Sequence, residues 1–315
     1  MSPRDPHAHP HPHPHPRLLY VTDLGYEARG RRYCDEDIFL SGRLRAESGF
    51  DVALCHPLDA AALLDAFDLV VVRNSGPVLN YLDAYEEFRS RALASGKAVH
   101  NPLTGRADMA GKQYLLDLTS AGFPVIPTVD RAAHLDRLPA AAEYVVKPAL
   151  GADSIGLRVV PRAGLSRAFD DTGSRLLVQP RIPFSYEVSF YFVDDDFQYA
   201  LRTAEGGERW ELQPYEPAPA DLEFARRFIA WNTLDHGIQR VDACRAPDGE
   251  LLLVELEDLN PYLSLDLVAP EVRERFVGRM VRSLRECLAA AGEAGTTGTT
   301  GTTGTTGTAG AAGTC

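Results

Sequence analysis

Two hydrophobic patterns alternate in the first hundred residues of the chain. Short apolar runs are typical of strands, whereas apolar positions three or four apart predict helices. The runs predict strands at 17–22, 50–55, 68–73 and 97–101, and the spaced positions predict helices at 36–47, 58–65 and 82–95. Strands that alternate with helices pair in parallel. We therefore expect a doubly wound α/β domain over residues 17–103.

The pattern changes after Asn101. A helix is predicted at 111–121, and Gly122 suits the left-handed position that follows many helices. Strand-like segments come next, several of them only a hairpin apart: 123–128, 143–149, 175–181, 186–195, 197–203, 237–245 and 250–258. A last amphipathic helix carries one apolar stripe, formed by Val272, Phe276, Met280, Leu284 and Leu288. The second part is therefore an α+β region rich in antiparallel sheet.

Composition limits the classes of function. The formal net charge is −12, which argues against a nucleic-acid partner. No apolar run reaches the roughly 18 residues of a membrane span, so no membrane partner is expected. Five cysteines without CxxC spacing, and no apolar signal segment before the first strand, favour the cytoplasm. The His/Pro segment 1–16 and the Gly/Thr segment 295–315 are expected to be disordered tails.

Lysine is rare, since only three of the 32 basic residues are lysine. A retained lysine therefore suggests a need for a compact ammonium charge. Lys147 lies on a predicted strand, and the loop after it contains Gly151, Ser154 and Gly156. Small residues let backbone N–H groups approach phosphate oxygens. An ordinary glycine-containing hairpin loop is the alternative interpretation.

The segment 240–257 contains two strands around a Pro-Asp-Gly turn. Glu255 and Glu257 point to one face because they are two residues apart. A loop with an even number of residues places Asp242 opposite Glu255 and Arg240 opposite Glu257. Facing carboxylates repel one another, so this cluster indicates a cation such as Mg²⁺. A three-residue loop would shift the register and move Glu255 to the other face, and an acidic solvent-exposed face is the remaining alternative.

The order of these segments resembles the ATP-grasp superfamily. The resemblance rests on Lys112 near a helix start, GFPVIPT, VVKP with its glycine loop, VQPRI with Glu187, and RVD followed by VELEDLNP. It covers residues 101–268 and is nearest to glutathione-synthetase-like and RimK-like carboxylate–amine ligases and to small cyclo-ligases of natural-product pathways. It implies an ATP-grasp domain over 104–294, with a lid at about 112–178 and a C-terminal part at about 179–294.

The resemblance implies roles for individual residues. Lys112, Lys147 and the loop with Gly151, Ser154 and Gly156 would contact the ATP phosphates. The adenine and ribose of ATP would be held by Gln179, Arg181, Ile182 and Glu187. Two Mg²⁺ or Mn²⁺ ions would be held by Asp242, Glu255 and Glu257, with Arg240 and Lys147 as catalytic residues. Many relatives have asparagine where this chain has Glu257, and glutamate where it has Gln179.

Substrate residues are expected where the parallel strands end, because open α/β sheets bind ligands there. The candidates are Tyr26, Arg29, Arg73, Asn74 and Asn260. Arg202 and the catalytic candidate Arg209 are expected to point to the acyl phosphate. Surface solvation is the alternative for each arginine. The expected partners are a small-molecule carboxylate and an amine, and whether the chain forms a homodimer is left open by the sequence.

The expected reaction is formation of an amide, or of a cyclic amide-type bond within one molecule, through an acyl phosphate. Two alternatives stay open at this point. One is a small-molecule kinase that stops after phosphoryl transfer, and the other is a nucleotide-binding module without turnover. The four residues Lys147, Asp242, Glu255 and Glu257 argue against the second, because a module without turnover needs no complete metal site.

Overall fold

A computed structural model describes residues 15–28, 31–47, 49–73, 78–107, 111–150, 155–170, 175–205 and 211–297. The tail predictions for 1–14 and 298–315 lie outside these residues. Among the residues described, no helix is both long enough and apolar enough to cross a bilayer.

The first hundred residues form a parallel sheet, as predicted. Its strands are β1 (Arg17–Val21), β4 (Asp51–Cys55), β5 (Leu69–Val72) and β6 (Ala98–His100), in the order β4-β1-β5-β6. A ribbon of β2 (Glu27–Ala28) and β3 (Arg31–Arg32) precedes the first helix. The helices are α1 (Cys34–Glu47), α2 (Ala60–Leu63) and α3 (Leu82–Ser95). Residues of α1 pack on one face and those of α2 and α3 on the other, so the domain is doubly wound.

A small antiparallel sheet follows helix α4 (Tyr114–Ser120). Its strands are β7 (Glu143–Pro148), β8 (Arg158–Pro161) and β9 (Leu176–Pro180), with β7 in the centre. Helix α5 (Leu165–Asp170) covers it. Tyr144, Val146 and Val178 form a core of their own with Leu165, so this sheet is stabilised separately from the rest.

The largest sheet has five antiparallel strands. They are β10 (Tyr186–Val193), β11 (Asp196–Thr203), β12 (Leu212–Tyr215), β13 (Ile238–Arg245) and β14 (Leu251–Glu257), in the order β12-β11-β10-β13-β14. Helix α6 (Pro219–Asn232) packs on one face. Helix α7 (Pro270–Thr297) and the first sheet cover part of the other, through the predicted stripe around Phe276, Met280 and Leu284.

Three predicted elements need correction. Residues 123–128 do not form a strand, since Val125 makes only an isolated bridge to Leu253; the prolines at 124 and 127 remove the backbone donors that a ladder needs. Helix α4 begins at Tyr114 rather than at residue 111, because Gly111 is left-handed with φ of 84°. Helix α7 continues to Thr297, beyond the predicted start of the tail at 295.

The register of the 240–257 hairpin is confirmed at the carboxylates, although the predicted even loop is wrong. Ala246 and Glu250 are joined by a backbone hydrogen bond of 2.9 Å, so the loop has three residues. A β-bulge then leaves Val254 unpaired between Leu253 and Glu255. The extra residue restores the pairing of Asp242 with Glu255.

Candidate active site

Three carboxylates converge on one face of the five-stranded sheet. Asp242 lies on β13, directly opposite Glu255 on β14, and Glu257 is the last residue of β14. One oxygen from each of the three side chains lies within 4.8 Å of the others, and all three residues are half-buried. Hard oxygen ligands at this spacing fit a divalent cation such as Mg²⁺ or Mn²⁺.

Two cations contact these carboxylates. Lys112 forms an ion pair with Glu255, and its own backbone N–H is held by the Ala149 carbonyl at 2.8 Å. Arg240 donates from Nε and Nη2 to the two Asp242 oxygens at 2.9 and 2.8 Å, and it also pairs with Glu257. The charges of Lys112 and Arg240 offset two of the three carboxylate charges.

Arg240 is rigidly held. Its Nη1 donates to the Tyr262 carbonyl at 2.9 Å, and its guanidinium lies 5.9 Å from the centre of the Tyr191 ring. The nearby charges of Asp242 and Glu257 raise the pKa of Arg240 well above its ordinary value, against the opposing effect of burial. The guanidinium therefore stays charged at any pH at which the protein is folded.

Ser189 is a residue of this cluster that the sequence reasoning missed. It lies on β10 opposite Asp242 and donates to Asp242 Oδ1 at 2.6 Å. Glu187 lies two residues earlier on β10, so its side chain points to the same face. The alternation of polar and buried residues in β10 is the signal that could have identified Ser189.

Lys147 and Gly156 flank the predicted phosphate loop. Lys147 is half-buried on β7, and Pro148 follows it as the last residue of the strand. Gly156 has φ of 77°, and a Cβ there would come within 2.9 Å of the Pro148 ring. Glycine is therefore required at position 156, where the loop leads into β8. Gly151 and Ser154 lie outside the described residues.

The predicted adenine hinge lies at the end of β9. Gln179 is only 4% exposed, and its Nε2 donates to Thr128 Oγ1 at 2.9 Å. Arg181 is exposed and pairs with the carboxylate of Glu143, while Ile182 is half-buried. Glu187, the predicted ribose ligand, lies opposite Cys244. Burial, with a smaller contribution from Glu187, raises the pKa of the Cys244 thiol to about 11.

Solved structures with this architecture are known. D-cycloserine synthetase DcsG aligns with 86% of this chain and 99% of its own, at a TM-score of 0.67 and 23% identity. D-alanine–D-alanine ligase from Bacillus anthracis, in complex with ATP, aligns with 89% of this chain and 99% of its own, at a TM-score of 0.60 and 14% identity. The macrocyclase MdnC from Microcystis aeruginosa, bound to its precursor peptide MdnA, aligns with 86% of this chain and 99% of its own, at a TM-score of 0.59 and 13% identity.

The chain has the ATP-grasp fold. No protein-family model matches its sequence, and a comparison with curated protein sequences gives no match either. On the ATP-grasp fold, the three carboxylates lie on the large sheet and Lys147 lies on the small one.

The predicted substrate residues of this ATP-grasp chain are not all brought together. Tyr26 packs on Tyr33 at 5.4 Å between ring centres, and Tyr33 packs on Tyr262 at 4.8 Å. Asn260 is half-buried three residues after β14. Three more candidates, Arg29, Asn74 and Arg209, lie outside the described residues.

The expectations for two arginines need correction. Arg202 lies opposite Val188 on the face covered by α6, because β-strand residues alternate between faces. Its guanidinium lies 5.1 Å from the centre of the Tyr186 ring, on the sheet face opposite the carboxylates. Arg73 points inward, but it is only 3% exposed and is held by Glu36 and Asp37 at 3.3 and 3.0 Å. It is buried in an ion-pair cluster and not presented to a substrate.

Proposed function

We propose that this protein is an ATP-dependent ligase that joins a carboxylate to an amine. The observation that carries the proposal is the cluster of Asp242, Glu255 and Glu257, with Lys112 and Arg240 in direct contact, on a fold shared with ligases. Hydrolysis or transfer of phosphate needs charge neutralisation at the phosphates more than it needs a protein nucleophile. The cluster offers both the carboxylates that bind a metal and the cations that face phosphate.

In the proposed first step, an oxygen of the substrate carboxylate attacks the γ-phosphorus of ATP. The bond from that phosphorus to the bridging oxygen breaks, and ADP leaves with the electron pair. Lys147 and Lys112 hold the phosphates in place, and such positioning supplies much of the rate enhancement. A divalent cation held by the three carboxylates supplies further charge neutralisation at the phosphate oxygens when bound.

In the proposed second step, the amine nitrogen attacks the carbonyl carbon of the acyl phosphate. The carbon–oxygen bond to phosphate breaks, inorganic phosphate leaves, and the nitrogen loses a proton as the amide forms. Arg240 is fixed beside the carboxylates and stabilises the negative charge that develops on the carbonyl oxygen. The amine and the acid can belong to one molecule, which gives a cyclic product.

The substrates are proposed to be small molecules or peptides of a natural-product pathway. Support comes from two proteins that share the fold, a D-cycloserine synthetase and a macrocyclase that binds a precursor peptide. The predicted cytoplasmic location agrees with a need for ATP. Mg²⁺ or Mn²⁺ is the proposed metal.

The test is ADP release from ATP with a panel of carboxylates, each with and without amines. A ligase releases ADP in proportion to a product whose mass equals acid plus amine minus water. A kinase gives a phosphorylated product instead, whether or not an amine is added. Glu255→Gln is the inactive control, since it keeps the size of the side chain but removes a ligand charge. Absence of ADP release over a broad panel, together with no MgATP binding, would refute the proposal.

A further inference from the structure

One peptide group links the first domain to the carboxylate cluster. The carbonyl of Tyr262 accepts a hydrogen bond from Arg240 Nη1 at 2.9 Å. The N–H of Leu263, in the same peptide group, donates to Glu36 Oε2 at 2.8 Å. A peptide group is planar and rigid, so a rotation that bends one of these two hydrogen bonds also displaces the other. Glu36 and Arg240 are therefore coupled through a single rigid unit.

Glu36 is itself held in place from several sides. It lies in the first turn of α1 and is buried there. Its Oε1 accepts from the N–H of Leu265 at 3.1 Å, and Arg73 Nη2 donates to Oε2 at 3.3 Å. Arg73 also binds Asp37 at 3.0 Å. The carboxylate thus anchors the turn after β14 to the parallel sheet.

Arg240 depends on this anchor for its orientation. Its Nε and Nη2 donors are used by Asp242 and Glu257, and Nη1 is used by the Tyr262 carbonyl. These acceptors hold the guanidinium from different directions. If the carbonyl turned away, Nη1 would lose its acceptor, and the plane of the guanidinium between the two carboxylates would no longer be fixed.

We propose that Glu36 is a positioning residue, which sets the orientation of Arg240 between Asp242 and Glu257 through the peptide group of Tyr262 and Leu263. The inference rests on the proposed function of Arg240 and of the carboxylate cluster. Glu36 acts through the backbone and touches no reacting atom. Its contribution therefore appears in the rate of the reaction more than in the binding of ATP.

The charge of Glu36 matters for this role. An ionised carboxylate accepts both N–H bonds and the Arg73 bond, whereas a protonated one must give up an acceptor site. Burial raises the pKa of Glu36 to about 7, although Arg73 and the N–H groups of Leu265 and Leu263 act against it. Below this pH the anchor weakens. The charged or titratable groups around Glu36 are Asp37, Arg73, Tyr20, Tyr191, Tyr199, Arg32, Asp35, Tyr262, Asp266 and Arg273.

The test compares Glu36→Gln with the wild type and with Glu47→Gln. Glu47 is the last residue of the same helix and pairs with Arg43 at the surface, so its variant controls for the loss of a carboxylate from α1. We expect the kcat of Glu36→Gln to fall roughly 10- to 100-fold, as for partners that orient groups at a metal site. The KM for ATP should change little, and Glu47→Gln should behave as the wild type.

The pH profile separates positioning from a merely structural role. The kcat of the wild type should fall as the pH drops below about 7, where Glu36 gains a proton. In Glu36→Gln this acid limb should be absent. If Glu36→Gln had the same kcat as the wild type and showed the same fall in kcat at low pH, the inference would be overturned. If Glu36→Gln does not fold, Glu36→Asp carries the test, since a changed acid limb supports the inference and an unchanged limb overturns it.

Failure of the proposed function is recognised separately. The thermal midpoint of the wild type with MgATP, and its ADP release, are measured first. If neither responds, the proposed function itself has failed. If both respond and Glu36→Gln differs from the wild type in neither kcat nor pH profile, only the positioning role is refuted.

Discussion

Replacing Arg240 by methionine tests the carboxylate cluster without any assay of turnover. The side chain is 16% exposed, and it pairs with both Asp242 and Glu257. Methionine has a similar length but no charge, so Arg240→Met leaves two half-buried carboxylates facing each other. Removing one partner of a buried ion pair costs about 3–5 kcal/mol. For a chain of this size, roughly 2–4 °C is lost per kcal/mol, and we expect the thermal midpoint in EDTA to fall by about 10 °C.

Excess Mg²⁺ should reverse part of this loss. The cation can take the place of the guanidinium between the carboxylates, and a ligand at 100 times its Kd stabilises a protein by about 2.7 kcal/mol. About half of the loss should therefore be regained in Arg240→Met, and much less stabilisation is expected in the wild type, where the charge of Arg240 already offsets part of the carboxylate charge. The measurement is thermal unfolding followed by circular dichroism, in EDTA and in excess MgCl₂.

Arg245→Met is the matched control. Arg245 lies on the same strand, is 19% exposed and binds the Asp221 carboxylate at 2.8 Å, but on the face covered by α6. Its loss should destabilise the protein similarly, and Mg²⁺ should not restore it. Equal recovery of both variants in Mg²⁺, or recovery of neither, would refute the assignment of a metal site to Asp242, Glu255 and Glu257.

Five further outcomes are expected. Lys147→Ala should abolish ATP turnover with the fold intact, whereas Lys97→Ala, which loses a hydrogen bond to the Phe67 carbonyl, should keep turnover. Equal losses in the two variants would contradict the proposed role of Lys147 at the ATP phosphates. Glu255→Gln should lose turnover, partly regained in excess Mg²⁺ or Mn²⁺, and ATP should raise the wild-type thermal midpoint only when Mg²⁺ is present. A chain shortened to residues 15–297 should keep its thermal midpoint and turnover, and a large drop would show that a tail docks on the core. Burial lowers the pKa of His100 to about 3, so His100 should cost about 1.4 kcal/mol of stability per pH unit as the pH falls below about 6.5, and in pH-dependent urea unfolding the slope of His100→Gln should differ from that of the wild type by this amount.

The sequence by itself determined most of the element types and their order, although helix α6 and strand β12 were not predicted. The four parallel strands, helices α1 and α3 and the apolar stripe of α7 follow from the spacing of apolar residues along the chain. This spacing is local, because each element must bury its own apolar face. Helices and strands can therefore be predicted from it without tertiary information. The predicted strand at 123–128 was wrong because two prolines interrupt its apolar residues, and proline has no backbone N–H to donate to a ladder.

The hairpin at 240–257 was only partly predictable from the sequence. The pairing of Asp242 with Glu255 was predicted from an even loop, yet it arises from a three-residue loop and a bulge at Val254. Two shifts of one residue cancel, so the charge argument reached the correct pairing without the correct turn. The preference of Pro247 for a three-residue loop was a valid local signal, and the bulge that compensates for it has no local signal in the sequence.

Only the tertiary structure decided which distant side chains meet. Lys112 reaches Glu255, Ser189 reaches Asp242, and Glu36 reaches the backbone of Leu263, although these partners belong to segments far apart in the chain. Arg202 was assigned to the site and lies on the opposite face, because the register of β10 with β11 sets that choice. Hydrophobic periodicity indicates which face of an element is buried, but it carries no information about the element that covers this face. The chemistry of the site depends on which elements meet there.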